Sequence, residues 1–286
     1  MALTYFLIAV ALAWILAATI VDLRKREVPD WLNFSLIAIA LFARALFAII
    51  ENNAGILLYG LLYFGIFVVA GYAFYYSRVF AGGDAKMLMA IGALFANPPE
   101  FSTSAFSAFP FPVIFLLNLI FVGSLYGLLL TFFFAFQNRK SFLKEFKKKR
   151  GTVKGSILLT FVVVAFALTI LAILTKIYFA VTVAILIAAL PYLYIALKTT
   201  EEVSMIRLVA CSELAEGDWL AEKIRVGKKI IKPSWEGLSK REIVLLRKAK
   251  KKVLVKYGLP FVPAFLLTLL ISLVFGNLFE VLLGLI

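Results

Sequence analysis

The apolar residues of this chain are grouped into long blocks, and no other feature of the sequence constrains the fold as strongly. A helix of about twenty apolar residues is long enough to cross the ~30 Å hydrocarbon core of a bilayer. We therefore predict an all-α polytopic membrane protein with about eight transmembrane helices and a small cytoplasmic α+β segment. The predicted spans are residues 2–21, 31–50, 55–76, 79–96, 109–136, 156–175, 177–197 and 259–285.

The basic residues are concentrated in alternate connections between these blocks. With the N-terminus outside, 28 of the 30 lysines and arginines fall in residues 22–30, 77–86, 137–155 and 198–258. Because basic loops remain on the cytoplasmic side, this orientation is predicted for a multi-pass protein of the cell membrane. The net charge of +14 then faces the cytoplasm, where it favours anionic lipid headgroups. Nucleic-acid binding is the alternative, but no recognition motif supports it.

Three regions are predicted along the chain. Residues 1–198 form a membrane domain with the first seven spans, residues 199–257 a small soluble segment, and residues 258–286 the last transmembrane helix. Within the soluble segment, "EGDWLAEKIRVGKKIIKP" favours short strands or a hairpin. The stretch "GLSKREIVLLRKAKKK" favours a helix that begins with a capping box formed by Ser239 and Glu242.

Two absences restrict the chemistry available to the chain. It contains no histidine and a single cysteine, Cys211. Catalysis by Ser-His-Asp or Cys-His groups is therefore excluded, as are an H-E-x-x-H zinc site and a disulfide within the chain. Any hydrolysis must rest on carboxylates, lysines or hydroxyl groups. Neither a metal nor another cofactor is predicted.

Two of the 16 acidic residues lie at matching ends of apolar blocks. Asp22 ends the first block and Asp84 lies early in the fourth, so both are expected near the cytoplasmic surface. Two close carboxylates share one proton, which is the arrangement that aspartic proteolysis requires. Gly82 and Gly83 precede Asp84 and allow a substrate backbone to approach or the chain to adopt positive φ. The alternative is a glycine-rich turn with an aspartate that only caps a helix.

Three stretches give the chain a family resemblance. They are "DLRKREVPDWLN", "AGGDAKMLMAIG" and "GLPFVPAFLL", which begin at Asp22, Ala81 and Gly258. Together they resemble the archaeal prepilin and preflagellin peptidases, membrane aspartyl proteases of the GxGD type. The resemblance implies catalytic roles for Asp22 and Asp84. It also implies substrate-binding or loop-shaping roles for Gly82, Gly83, Lys86, Pro29 and Pro260. Ala81 departs from the family pattern, which has glycine there.

The resemblance also implies a substrate and a place of action. These peptidases remove a short basic leader from archaellin or type IV pilin-like precursors at the cytoplasmic face. Glu27 and Asp30 are candidates for binding the leader. Because bacterial bifunctional members carry paired cysteines and also methylate their products, a chain with one cysteine is expected to act as a peptidase only.

Several alternatives to this function remain. One is an intramembrane protease like presenilin or signal peptide peptidase, and another is a transporter or a membrane component of a pilus machine. Within the peptidase hypothesis, helix dipoles suggest the roles of the two aspartates. Asp84 near a helix N-terminus and close to Lys86 would be the base, and Asp22 at a helix C-terminus the acid.

Overall fold

The computed structural model describes residues 2–96, 109–177, 179–226, 229–234, 236–249 and 252–284. Most of these residues are helical, and five short strands occur in the second half of the chain. The helices are α1 (Ala2–Lys25), α2 (Asp30–Ile50), α3 (Gly55–Tyr76), α4 (Gly82–Leu94), α5 (Phe111–Gln137), α6 (Arg139–Thr152), α7 (Gly155–Thr175), α8 (Phe179–Thr200), α9 (Lys240–Ala249), α10 (Val262–Phe275) and α11 (Leu278–Gly284). The strands are β1 (Ile206–Ala210), β2 (Trp219–Leu220), β3 (Ile224–Val226), β4 (Lys229–Ile231) and β5 (Lys252–Lys256).

Six helices in the described part of the chain are long and apolar enough to cross a membrane. They are α1, α2, α3, α5, α7 and α8, the last continued by a π-helical turn to Met205. The prediction of an all-α multi-pass membrane protein with a small strand region is thus supported, but the count of eight spans is not confirmed. The fourth block forms only the 13 residues of α4. The last block is divided into α10 and α11 at Gly276, which has φ 67°.

One compact unit contains residues 1–128 and 258–286. Its centre is α4, in which every residue from Met87 to Leu94 is buried. Helix α3 packs closely against α4 at Gly92, where a Cβ atom would come within 2.6 Å of the Phe67 Cβ and the Tyr63 carbonyl oxygen. Glycine therefore allows the two helices to approach each other and brings the short α4 into the apolar core.

The second unit contains residues 129–257. Strands β1 and β2 both pair antiparallel with β5, and β3 pairs antiparallel with β4. The hairpin and the helix predicted in this region are confirmed as β3–β4 and α9. Residues 227 and 228, between the two strands, lie outside the described residues. Glu242 accepts hydrogen bonds from the Ser239 N–H at 3.0 Å and hydroxyl at 2.7 Å. Strands β1 and β5 were not predicted, and the expected boundaries at residues 198 and 258 stay a prediction.

Candidate active site

Asp22 lies in the last turn of α1, and its side chain is held by a helix from the far end of the chain. The residue is buried, with 5% of its surface exposed. Its Oδ2 accepts a hydrogen bond of 2.9 Å from the backbone N–H of Val262, the first residue of α10. The first N–H groups of a helix have no partner within the helix and stabilise a negative charge. The Val262 N–H thus stabilises the ionised form of Asp22, while burial of the side chain opposes ionisation.

Asp84 is the third residue of α4, so the sequence-based expectation that it lies near a helix N-terminus is met by the structure. Its Oδ2 accepts a hydrogen bond of 3.3 Å from the backbone N–H of Ala81. Ala81 precedes the helix with φ −71° and ψ 165°, an extended conformation that any residue adopts. Alanine at this position therefore imposes no backbone strain on the GGD segment.

The two aspartates lie within electrostatic reach of each other. Asp84 is on α4, outside the six candidate membrane spans. Burial, and next the negative charge of Asp22, raises the pKa of the Asp84 carboxyl group to about 7. The Asp84 carboxyl group therefore retains its proton up to about neutrality.

Gly82 and Gly83 are the first two residues of α4, and neither has positive φ. A Cβ atom at Gly82 would come no closer than 3.8 Å to its nearest neighbour, on Tyr75. At Gly83 the nearest contact would be 3.4 Å, to Val28 Cβ. Both distances are compatible with ordinary packing, so the fold of this chain does not itself require glycine at either position.

Lys86 does not pair with Asp84. Its ammonium group forms an ion pair with Asp30 at 2.5 Å and lies over the Phe34 ring, 5.5 Å from its centre. Pro29 immediately precedes α2, with φ −60° and ψ 137°. Pro29 therefore shapes the connection from α1 to α2. Lys86 attaches α4 to the beginning of α2 through its ion pair with Asp30.

Pro260 lies just before α10, where its carbonyl oxygen accepts a hydrogen bond of 3.0 Å from the Tyr126 hydroxyl. Tyr126 is also within electrostatic reach of Asp22. One turn earlier on α5, a Cβ atom at Gly123 would come within 2.7 Å of the Phe261 ring. Helix α5 thus supports the segment that supplies the Val262 N–H, and sequence reasoning did not identify Tyr126 in this role.

Asn33 is a second residue that sequence reasoning missed. It is fully buried on α2, and its amide donates a hydrogen bond of 3.3 Å to the carbonyl of Gly83, next to Asp84. Asn33 is the last residue of the "VPDWLN" stretch, and this motif is the sequence signal that could have identified it. Among the described residues, no group of three or more His, Cys, Asp or Glu side chains is placed to hold a metal ion.

Comparisons with known proteins match the part of the chain that contains the two aspartates. Residues 9–137 match the type IV leader peptidase family, and this range includes both Asp22 and Asp84. The chain is 23% identical over 150 residues to the prepilin peptidase EppA of Methanothermobacter thermautotrophicus. That match covers 50% of this chain and 39% of the relative's length. No solved structure matches the chain. The family resemblance predicted from the three motifs is thus confirmed: residues 9–137 are similar to the type IV leader peptidase family.

Proposed function

We propose that this protein is a membrane aspartic endopeptidase that removes the leader peptide from type IV pilin-like precursors by means of Asp22 and Asp84. One observation carries the proposal: the carboxyl groups of Asp22 and Asp84, on separate helices, are within electrostatic reach of each other, and buried Asp22 accepts a hydrogen bond from the N-terminus of α10. The family match supports leader-peptide cleavage as the reaction, and an aspartate pair is chemistry that a chain without histidine has available.

In the proposed reaction, ionised Asp22 is the base and protonated Asp84 is the acid. Asp22 takes a proton from water, whose oxygen attacks the scissile carbonyl carbon while Asp84 donates its proton to the carbonyl oxygen. The tetrahedral intermediate then breaks its C–N bond. The proton held by Asp22 passes to the leaving nitrogen, and Asp84 recovers its proton from the intermediate.

These roles are the reverse of those suggested by the dipoles of the aspartates' own helices. The difference arises because the side chain of Asp22 reaches the N-terminus of α10, which stabilises its negative charge. Lys86, expected to stabilise the anion of Asp84, is paired with Asp30 instead.

We further propose archaeal substrates, either archaellin or type IV pilin-like precursors, cleaved at the cytoplasmic face. The distribution of lysine and arginine supports an orientation with the N-terminus outside, which places the end of α1 and the beginning of α4 at the cytoplasmic surface. Gly82 and Gly83, the two residues before Asp84, carry no side chain, and we propose that the extended backbone of a substrate approaches Asp84 over them.

The test is co-expression of this chain with a type IV pilin-like precursor, with product size and N-terminus determined by mass spectrometry. The wild-type chain is expected to remove the leader, and Asp22→Asn and Asp84→Asn each to slow removal by about 10²- to 10⁴-fold while inserting normally into the membrane. Glu51→Gln, which changes an exposed carboxylate just after α2, is the matched control. Full cleavage by either aspartate variant contradicts the proposal, and a cut inside the precursor's hydrophobic helix indicates a presenilin-like protease.

A further inference from the structure

One face of α2 holds the short helix α4 at both ends. At the N-terminal end of α4, Asp30 pairs with Lys86, and the Asn33 amide contacts the Gly83 carbonyl. At the other end, the guanidinium group of Arg44 contacts the last residues of α4. These three polar residues of α2, with buried Ile37 and Ala40 between them, follow the alternating spacing of three and four residues that defines one face of a helix.

Arg44 makes the most completely buried of these contacts, with only 2% of its surface exposed. Its Nε donates to the Ala93 carbonyl at 2.7 Å, and its Nη2 to the Leu94 carbonyl at 2.8 Å. These carbonyls belong to the last two residues of α4, where a helix has acceptors without partners and a partial negative charge. Nη1 donates to the Ile56 carbonyl of α3 at 3.3 Å. In the described part of the chain, all three hydrogen bonds of Arg44 thus go to backbone oxygens.

The neighbouring helix α3 is shaped to accommodate this arginine. Gly60 faces the Arg44 side chain, and a Cβ atom there would overlap with Cδ and come within 3.1 Å of Nε. Glycine at this position leaves the space through which the side chain passes to reach the end of α4. The contact of Arg44 with α4 therefore depends on glycine at position 60.

We infer that Arg44 is a positioning residue that fixes the depth and rotation of α4 and thereby holds Asp84 beside Asp22. The apolar character of α4 alone does not define its rotation, because residues all around it are buried from Met87 to Leu94. The close packing of α3 at Gly92 and the polar contacts from α2 are the features that distinguish one register from another. A shift by one residue moves a helix about 1.5 Å and turns it about 100°. The bonds from Arg44 to Ala93 and Leu94 form in one register only. The inference rests on the proposed function in treating Asp84 as catalytic.

The position of α4 can be measured independently of catalysis with an engineered disulfide. A Cβ atom at Gly83 would lie 3.4 Å from Val28 Cβ, close to the separation found across disulfides. The pair Val28→Cys and Gly83→Cys, made with Cys211→Ser, is therefore expected to oxidise readily in the full-length protein in membranes. Adding Arg44→Met is expected to slow disulfide formation several-fold, and adding Arg44→Lys, which keeps the charge but loses the two-carbonyl contact, to have an intermediate effect.

Two further variants separate positioning from general destabilisation. Gly60→Ala leaves Arg44 in place but obstructs its path, so the same slowing of the disulfide is expected. Leu7→Ala truncates a buried side chain of α1 and is expected to lower the melting temperature without changing the rate of disulfide formation. If Arg44→Met does not fold, the rate of disulfide formation can still be measured in the Arg44→Lys and Gly60→Ala variants. Disulfide formation at the wild-type rate in folded Arg44→Lys and Gly60→Ala proteins overturns the inference.

Cleavage kinetics connect this geometry to activity. In the chain without engineered cysteines, Arg44→Lys is expected to lower kcat about tenfold or more with little change in KM, because small misplacements of a catalytic group act on the chemical step. A purely structural role predicts less folded protein with unchanged kcat per folded molecule, and that result also overturns the inference. If Asp84→Asn cleaves normally while the disulfide still depends on Arg44, the proposed function fails and the positioning of α4 stands.

Discussion

The carboxylate of Asp22 accepts a hydrogen bond of 2.9 Å from the backbone N–H of Val262, 240 residues away in the sequence. This contact joins the end of α1 to the beginning of α10. It gives the buried aspartate both a structural role, as the partner of a helix N-terminus, and a hydrogen bond that stabilises its charged form.

The two roles of Asp22 are separable by substitution. Asp22→Asn keeps an oxygen that accepts the Val262 N–H, so we expect a melting temperature close to that of the wild type and a loss of cleavage of about 10²- to 10⁴-fold. Asp22→Ala leaves the buried N–H without a partner, at a cost of about 1–3 kcal/mol in stability. Thermal unfolding and cleavage of the same preparations provide the measurement. Equal melting temperatures for the two variants would contradict the structural role.

The pH dependence of cleavage follows from the raised pKa of Asp84. With that pKa at about 7, the carboxyl group is protonated and available as an acid at lower pH, and loses its proton as the pH rises through this value. We therefore expect kcat/KM to fall on the alkaline side of neutrality. The measurement is a profile of kcat/KM against pH for the wild-type enzyme, which reports ionisations of the free enzyme. Activity that increases from pH 7 to pH 9 would rule out a protonated Asp84 as the acid.

Local sequence patterns predict most of the long helices and both aspartates of this protein. The contacts between segments that are distant in the sequence are not predicted. The apolar blocks predict α1, α2 and α3 because a membrane span depends on length and hydropathy alone. Asp22 and Asp84 are identifiable because a charge at the end of an apolar block is conspicuous. No local sequence pattern relates Asp22 to Val262, because their hydrogen bond depends on how α10 packs against the end of α1.

The dependence on contacts between distant segments also explains where the structure differs from the sequence-based predictions for Lys86 and for the strands. Lys86 is two residues from Asp84, but in a helix that spacing points the two side chains in different directions, and Asp30 becomes the partner of Lys86. Strands β1 and β5 alternate only weakly over five residues and pair with each other across a long separation. Tertiary pairing therefore decides their structure.

The ion pair of Lys86 and Asp30 provides a test of whether Lys86 belongs to the catalytic chemistry. Its side chains are 30% and 62% exposed, so the pair is expected to contribute only about 0–1 kcal/mol to stability. We expect Lys86→Met to keep cleavage within a few-fold of wild type and to leave the pH profile unchanged. Asp30→Asn is the matched partner variant. A shift of the profile in Lys86→Met alone would show that the ammonium group acts on Asp84 after all.

The glycines before Asp84 provide the last prediction. Because a Cβ atom fits at Gly82 and Gly83, we expect Gly82→Ala and Gly83→Ala to fold with stability within about 1 kcal/mol of wild type. Both lie where the proposed substrate backbone passes Asp84, so cleavage is expected to fall about tenfold or more.

Gly92→Ala is the matched control for these two variants. It introduces the same methyl group further along α4, where Cβ would come within 2.6 Å of the Phe67 Cβ and the Tyr63 carbonyl oxygen. We expect it to lower stability by about 1–3 kcal/mol through overpacking. Melting temperature and kcat/KM measured for all three variants distinguish the two effects. Wild-type cleavage by both Gly82→Ala and Gly83→Ala would show that the substrate does not approach Asp84 over these residues.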